Sequence, residues 1–264
     1  MTSRSYVISD TATMLRRNLR HMRRYPSLTL LIAGIPVVFL LLFVYVFGGT
    51  LGKGLGGVAV GRDAYLAYVI PGILLMTLAG VAQGTAISVA IDMTEGIVGR
   101  FRTMAISRAS VLTGHVVGSI IQSTLAIAVV TAVALLIGFR PTTAPVVWVA
   151  VAGMLALTAL AISWLSVALG MSTRSVETAS NLPMFLMLLP VLGSGFVPTR
   201  TMPDGLRWFA ENQPFTPIIE TLRGLLLGTP IGNSGLVAVA WCLAISLFGF
   251  LWARKLYERD PAHR

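Results

Sequence analysis

The chain has 264 residues, of which 55% are hydrophobic and only 11% are charged. An ordinary soluble domain contains about 25% charged residues, so this composition excludes a water-soluble globular domain and indicates that lipid surrounds much of the chain. The net charge of +10 is compatible with nucleic-acid binding. The basic residues instead flank long apolar runs, so we expect no nucleic-acid partner.

Six runs without Asp, Glu, Lys or Arg are longer than the roughly 20 residues that a membrane span needs. Backbone polar groups in lipid must be bonded within their own segment, so each run predicts a helix. Transmembrane β-strands alternate polar and apolar residues, which these runs do not. The sequence therefore predicts an all-α membrane protein with one transmembrane domain over residues 1–264 and spans at about 27–48, 64–91, 109–138, 146–170, 179–197 and 235–253.

The basic residues are unequally divided between the two sides of these spans. Both termini, the 92–108 loop and the turn near residue 174 carry 14 of the 20 Lys and Arg residues. The side richer in Lys and Arg faces the cytoplasm. We therefore predict a multi-pass protein of the cell inner (cytoplasmic) membrane with both termini in the cytoplasm.

The N-terminal segment before the first span is basic and amphipathic. Leu15, Leu19 and Met22 recur at helical spacing among arginines. This pattern is typical of an interfacial amphipathic helix that lies in the headgroup plane and contacts membrane lipids. A disordered basic anchor is the alternative interpretation.

A glycine-rich loop follows the first span. Gly52, Gly54 and Gly57 form a G-x-G-x-x-G pattern, but a dinucleotide fingerprint must follow a strand and begin a helix. This one follows a membrane span, so we interpret it as an external loop and expect no cofactor on this chain.

The loop between the second and third spans, "DMTEGIVGRFRTMAISR", carries charges between two uncharged runs. Within the third run His115 stands alone, because no Asp, Glu, Lys or Arg occurs in any run to pair with it. We interpret it as a neutral histidine near the cytoplasmic end that bonds to a neighbouring helix. A proton relay is the alternative.

The segment after the fifth span is rich in proline and aromatic residues and predicts two short helices. "MPDGLRWFAE" begins at Pro203 and Asp204, and "TPIIETLRGLLLG" contains a Glu220–Arg223 pair and ends at Gly228. We expect an extracytoplasmic helix pair at the outer leaflet, with an ordinary surface loop as the alternative.

The sequence shows no metal-ligand cluster and no catalytic arrangement. The one cysteine, Cys242, lies in the middle of the sixth span and is interpreted as a packing residue. We therefore predict no catalytic or metal residues and a chain that is not an enzyme.

Two motifs in this order resemble a known family. The 92–108 loop reads D-x-x-x-G-x-x-x-R-x-R-x-x-x-x-S-R, and the later segment reads F-x-P-x-x-x-x-P, N-Q-P-x-T-P and E-x-x-R-x-x-x-x-G. Together with six spans and a basic N-terminal helix, the whole chain resembles the type-2 ABC exporter permeases, and within them the daunorubicin-resistance permease branch. One departure is Ala105 to Arg108, "AISR", where that branch often has a proline before Ser-Arg.

The resemblance implies a role for the 92–108 loop. In this family it forms a coupling helix that rests on the ATPase subunit, which assigns the ATPase-coupling residues Asp92, Glu95, Gly96, Gly99, Arg100, Phe101 and Arg102. The acidic pair would lie at the helix start, where negative charge is favourable. The arginines would pair with acidic residues of the partner. The resemblance places Pro203, Pro214, Glu220 and Arg223 in the extracytoplasmic helix pair.

The resemblance also implies the partners. A separate P-loop ATPase in two copies would hold ATP and Mg, and the permease would form a homodimer or a heterodimer with a related permease. The cargo would be amphiphilic or apolar, such as a drug, polyketide or lipid, with its contact residues unknown. A secondary, ion-coupled transporter and a membrane-embedded biosynthetic enzyme are the alternative functions.

Overall fold

The computed structural model describes residues 26–54, 61–94, 108–141, 144–173 and 175–258. These residues form ten α-helices and no strand, in agreement with the predicted all-α class. The helices are α1 (Pro26–Leu42), α2 (Gly48–Gly54), α3 (Arg62–Thr94), α4 (Arg108–Leu136), α5 (Val147–Ser172), α6 (Val176–Asn181), α7 (Met184–Leu192), α8 (Asp204–Asn212), α9 (Phe215–Leu227) and α10 (Ser234–Glu258). A π-helix, Phe43–Phe47, joins α1 to α2, and a 3₁₀ turn, Thr199–Thr201, precedes α8.

Among the described residues, five helical segments are long and apolar enough to cross a membrane, where the sequence predicted six. They are Ala33–Lys53, Arg62–Thr94, Leu112–Leu136, Val147–Ser172 and Ser234–Glu258. The remaining predicted span, 179–197, is a shorter apolar pair formed by α6 and α7 over Val176–Leu192.

Proline explains the shorter helices in this region. Pro183 stands at the start of α7 and Pro190 lies within it, and each lacks a backbone N–H for a helical bond. The helix ends at Leu192, and Gly193 is extended. Residues 176–192 rise only about 26 Å along a helix axis, slightly less than a hydrocarbon core of about 30 Å.

Helix α3 lies at the centre of the bundle. In its most apolar stretch, 78% of the residues are buried. In the corresponding stretches of the first and last spanning segments, only 22% are buried. Helix α3 packs against α1, α4, α5, α6, α7 and α9. Asp92 near one end of α3 is therefore also removed from solvent, whereas Arg62 and Asp63 at its start are exposed.

Glycines allow the closest helix contacts. A Cβ at Gly72 of α3 would lie 2.7 Å from the carbonyl oxygen of Gly195, in the turn after α7. A Cβ at Gly249 of α10 would lie 2.6 Å from the backbone nitrogen of Leu165 in α5. Small residues at such crossings let helices approach in a membrane, where burial from water contributes little.

Candidate functional site

Arg223 is the centre of a buried polar cluster at the N-terminal end of α3. Arg223 is 8% exposed. Nη2 donates to the carbonyl oxygens of Ser194 at 2.6 Å and Tyr68 at 3.3 Å, and Nη1 donates to Oε1 of Glu220 at 2.7 Å. The guanidinium carbon lies 3.7 Å from the centre of the Tyr68 ring. One side chain thus links α9 to α3 and to the turn after α7.

The two side chains of the Glu220–Arg223 pair are buried to very different extents. The two side chains are bonded as the sequence spacing predicted, but the Glu220 side chain is 41% exposed and the Arg223 side chain only 10%. Arg223 therefore depends chiefly on backbone carbonyls and the Tyr68 ring. Glu220 is a half-exposed partner at the edge of the cluster.

The connection between α8 and α9 fixes the position of this cluster. Pro214 precedes α9, and Gly228 ends it with a positive φ of 68°. The Gln213 amide donates to the carbonyl oxygen of Leu189 at 3.1 Å, and its Oε1 accepts from the Phe215 backbone N–H at 3.1 Å. Gln213 thereby ties the two helices to α7.

Helix α8 forms at the predicted residues and is largely exposed. Pro203 precedes the helix in an extended conformation. Arg207 donates to Oε1 of Glu211 at 2.8 Å. This bond, with a further bond from Thr199, holds the pKa of the Glu211 carboxyl below its ordinary value. The pair lies on the surface, in contrast to the buried Arg223.

A second buried polar cluster lies at the other end of α3. Asp92 and His115 are each 6% exposed, and Oδ2 of Asp92 lies 3.0 Å from Nε2 of His115. The two residues flank the 95–107 segment in sequence. A carboxylate near a helix C-terminus is unfavourable in the field of the helix dipole, and His115 supplies a donor that offsets this.

This pair corrects the expectation that no acidic residue in a span is available to His115. Helix α3 continues to Thr94, past the predicted end of the span at residue 91, and so includes Asp92. The sequence reading separated Asp92 from the span because of its charge. The partner on α4 satisfies the buried carboxylate within the continued helix.

An apolar cluster surrounds the Asp92–His115 end of the bundle. Its members come from α3, α4, α5 and α10 and are Val89, Leu112, Val116, Val167, Ala168, Met171, Ala253, Leu256 and Tyr257. Four helices therefore meet where the 95–107 segment joins the bundle.

A chain of hydroxyl groups joins α3, α4 and α5 nearer the middle of the bundle. Ser119 accepts hydrogen bonds from Thr85 at 2.9 Å and from Ser163 at 2.8 Å. All three residues are buried. Such bonds hold transmembrane helices together at modest energy, about 0.6 kcal/mol on average.

Most of the predicted coupling residues lie outside the described part of the chain. Glu95, Gly96, Gly99, Arg100, Phe101 and Arg102 belong to this group, as does the predicted N-terminal interfacial helix. Asp92 is the one coupling residue that the structure describes, and it is buried at the end of α3.

Residues 9–227 match the family model described as ABC-2 type transporter. The chain belongs to the ABC-2 type transporter family. It is 28% identical to the daunorubicin resistance ABC transporter permease protein DrrB1 of Streptomyces coeruleorubidus, over 99% of this chain and 90% of that protein. It is 21% identical to the probable doxorubicin resistance ABC transporter permease protein DrrC from two strains of Mycobacterium tuberculosis, over 87% of this chain and 81% of that protein.

These matches confirm the resemblance to the type-2 ABC exporter permeases and their daunorubicin-resistance branch. With its apolar helices, this ABC-2 permease is a multi-pass membrane protein. Sequence reasoning missed three polar partners: the carbonyl oxygens of Tyr68 and Ser194, and the bond between Asp92 and His115. Backbone acceptors carry no side-chain signal, so no pattern could have found the first two. An acidic residue at the very edge of a predicted span was the available signal for the third.

Proposed function

We propose that this chain is the membrane-spanning subunit of an ATP-binding-cassette exporter that moves an amphiphilic or apolar cargo out of the cytoplasm. A separate P-loop ATPase, in two copies, supplies the energy and holds ATP and Mg. The permease acts as a homodimer or with a related permease. Its six spans comprise the five long segments and the α6–α7 pair, in the inner membrane with both termini in the cytoplasm.

The observation that carries this proposal is the family match over residues 9–227, with relatives that are permeases of drug-resistance ABC transporters. The names of these relatives refer to daunorubicin and doxorubicin resistance. Export of these drugs is therefore the first activity to test in this protein.

The coupling residues are proposed to transmit movement of the ATPase to α3 and α4, the two helices that flank their loop. Residues 95–102 meet the ATPase, and the Asp92–His115 pair fixes the ends of the two helices from which that loop extends. Movement of the loop then shifts α3 and α4 together. Because α3 contacts most other helices of the bundle, such a shift changes the populations of inward- and outward-facing states.

The direct test is transport by purified permease and its ATPase reconstituted in vesicles, with fluorescent daunorubicin as the probe. We expect accumulation that requires ATP and that persists after ion gradients are collapsed with ionophores. An ATPase subunit whose P-loop lysine is replaced is the matched control and should abolish accumulation. Transport that follows an ion gradient without ATP would refute the proposal in favour of a secondary transporter.

The coupling assignment has its own test, which is pull-down of the ATPase by variant permeases. Glu95→Arg and Phe101→Asp are expected to weaken docking, since disrupting a close interfacial contact typically costs about 2–5 kcal/mol, or roughly 30-fold or more in affinity. Met202→Ala, outside the loop, is the control. Docking and export at the wild-type level in both loop variants would show that the segment is only a linker.

The proposed orientation is tested by cysteine labelling in a Cys242→Ala background. Asn233 and Ser175 are both exposed and lie at opposite ends of the bundle. Asn233→Cys should react with a membrane-impermeant maleimide added outside intact cells, and Ser175→Cys only after the membrane is opened. The reverse pattern would refute the cytoplasmic placement of the coupling loop.

A further inference from the structure

A cavity of about 330 Å³ lies between α4 and α5 and extends inward to α3 and α9. The side chains that line it are mostly apolar and include the rings of Phe139 and Trp148, with hydroxyls from Ser123, Thr124 and Thr131. Among the described residues, no Asp, Glu, Lys, Arg or His lines it. Neither polar cluster at the ends of α3 is part of this cavity.

Ser123 is the buried one of the three hydroxyl residues in the cavity wall. Ser123 is 2% exposed and lines the cavity, yet its hydroxyl has no hydrogen-bond partner within the described parts of the chain. Ser119, one helical turn earlier on α4, accepts two hydrogen bonds.

The cavity opens toward the outside of the bundle. Ala152 and Ala156 of α5 line it and are also exposed. The neighbouring outer surface carries exposed apolar side chains, including Leu125, Val129 and Val149. A molecule dissolved in the apolar part of the membrane therefore reaches the cavity between α4 and α5 without crossing a polar surface.

We propose that this cavity binds the neutral, mostly apolar ring portion of a cargo molecule, where that portion carries a hydrogen-bond acceptor such as a carbonyl oxygen. The Ser123 hydroxyl donates to that acceptor, and the Phe139 and Trp148 rings contact the apolar part. An ionic group elsewhere on the cargo stays outside the cavity, because the lining offers it no partner. The volume is at the lower end for sites of drug-sized molecules. The role as a cargo site rests on the proposed export function.

Benzophenone is a suitable probe, because its ketone oxygen accepts one hydrogen bond and light attaches it to nearby C–H groups. We expect saturable photolabelling of α4 and α5 residues at the cavity in purified permease, mapped by mass spectrometry. A benzophenone with a quaternary ammonium group attached directly to one ring should label the cavity poorly. A phospholipid with benzophenone on its acyl chain should label the outer helix surfaces without saturating the cavity.

Three variants test the site itself. Ser123→Ala should lower the affinity for benzophenone about three- to tenfold, the equivalent of one neutral hydrogen bond, and leave the affinity for diphenylmethane, which lacks the ketone, unchanged. Ala152→Trp should fill the opening and abolish saturable labelling. Ala150→Trp, on the exposed side of α5 away from the cavity, is the matched control and should label as wild type.

The outcomes separate this site from the export proposal. Uniform, unsaturable labelling along α4, α5 and α10, or equal loss in Ala152→Trp and Ala150→Trp, would overturn the site. Saturable labelling by the phospholipid alone would assign the cavity to a lipid tail and also overturn the cargo role. A confirmed site with no ATP-driven transport would refute the export function, while the binding result would stand.

Discussion

The two ends of helix α3 hold buried charges by different means. Tyr68 and Asp92 are about 24 residues apart, which corresponds to about 36 Å along the helix. At the Tyr68 end, Arg223 has two backbone carbonyls, an aromatic ring and a carboxylate around it. At the other end, the described bond of His115 is the one to Asp92.

This difference predicts how substitutions in each cluster should affect the protein. Arg223 has several acceptors, so loss of any one leaves the others, whereas loss of Arg223 itself leaves several groups unpaired at once. The Asp92–His115 pair joins the ends of the two helices that flank the 95–107 loop. We therefore expect the Arg223 cluster to govern stability and the Asp92–His115 pair to govern coupling.

The largest expected effect is on Arg223. Arg223→Met should lower the free energy of unfolding by about 3–5 kcal/mol, because it leaves buried polar partners without their cation. Thermal unfolding in detergent is the measurement, and Arg207→Gln, in the exposed helix α8, is the control with at most a small change. An Arg223→Met protein as stable as wild type would show that the Tyr68 and Ser194 contacts contribute little.

The next effect concerns the inner end of α3. His115→Phe should lower the free energy of unfolding by about 1–3 kcal/mol, the usual penalty for a buried group that loses its hydrogen-bond partner. ATP-driven export should fall even at temperatures where the variant remains folded. A double-mutant cycle with Asp92→Asn measures the coupling between the two side chains, expected at about 0.5–3 kcal/mol. Thr113→Val on the same helix is the control. A coupling energy of zero would show that the pair is incidental.

A smaller effect is expected at Glu220. Because its side chain is 41% exposed, the pair with Arg223 should contribute only about 0–1 kcal/mol, and Glu220→Ala should be nearly silent in thermal unfolding. If Glu220→Ala destabilises the protein as much as Arg223→Met, the carboxylate and not the carbonyls is the principal partner of the arginine.

The smallest effect is the pH dependence of the Arg207–Glu211 pair. Arg207 holds the pKa of Glu211 below its ordinary value, so the pair stabilises the folded state above the unfolded pKa of about 4.3. This contribution is lost as the pH falls through the lowered pKa. The unfolding temperatures of wild type and Arg207→Gln should therefore converge at low pH. A difference that grows on acidification would contradict the assignment.

Much of the fold was accessible from sequence because apolar length is a strong signal in lipid. The charge-free runs predicted the long helices, and the pattern of proline, charge and glycine predicted both α8 and α9, including the end at Gly228. The fifth run was read as one span through residue 197, although the helix ends at Leu192. The length of an apolar run does not show where a helix ends within it, which here depends on the prolines and on the extended backbone of Gly193.

What the sequence determined by itself was the membrane environment, the family and the spacing of Glu220 and Arg223. Tertiary structure decided which charges are buried and what surrounds them. The carbonyls of Tyr68 and Ser194 reach Arg223 only because Gly72 and Gly195 let α3 approach the turn after α7. Asp92 is buried within α3, where α4 places His115 3.0 Å away. Both depend on contacts between residues far apart in the chain, and local patterns carry no information about such distances.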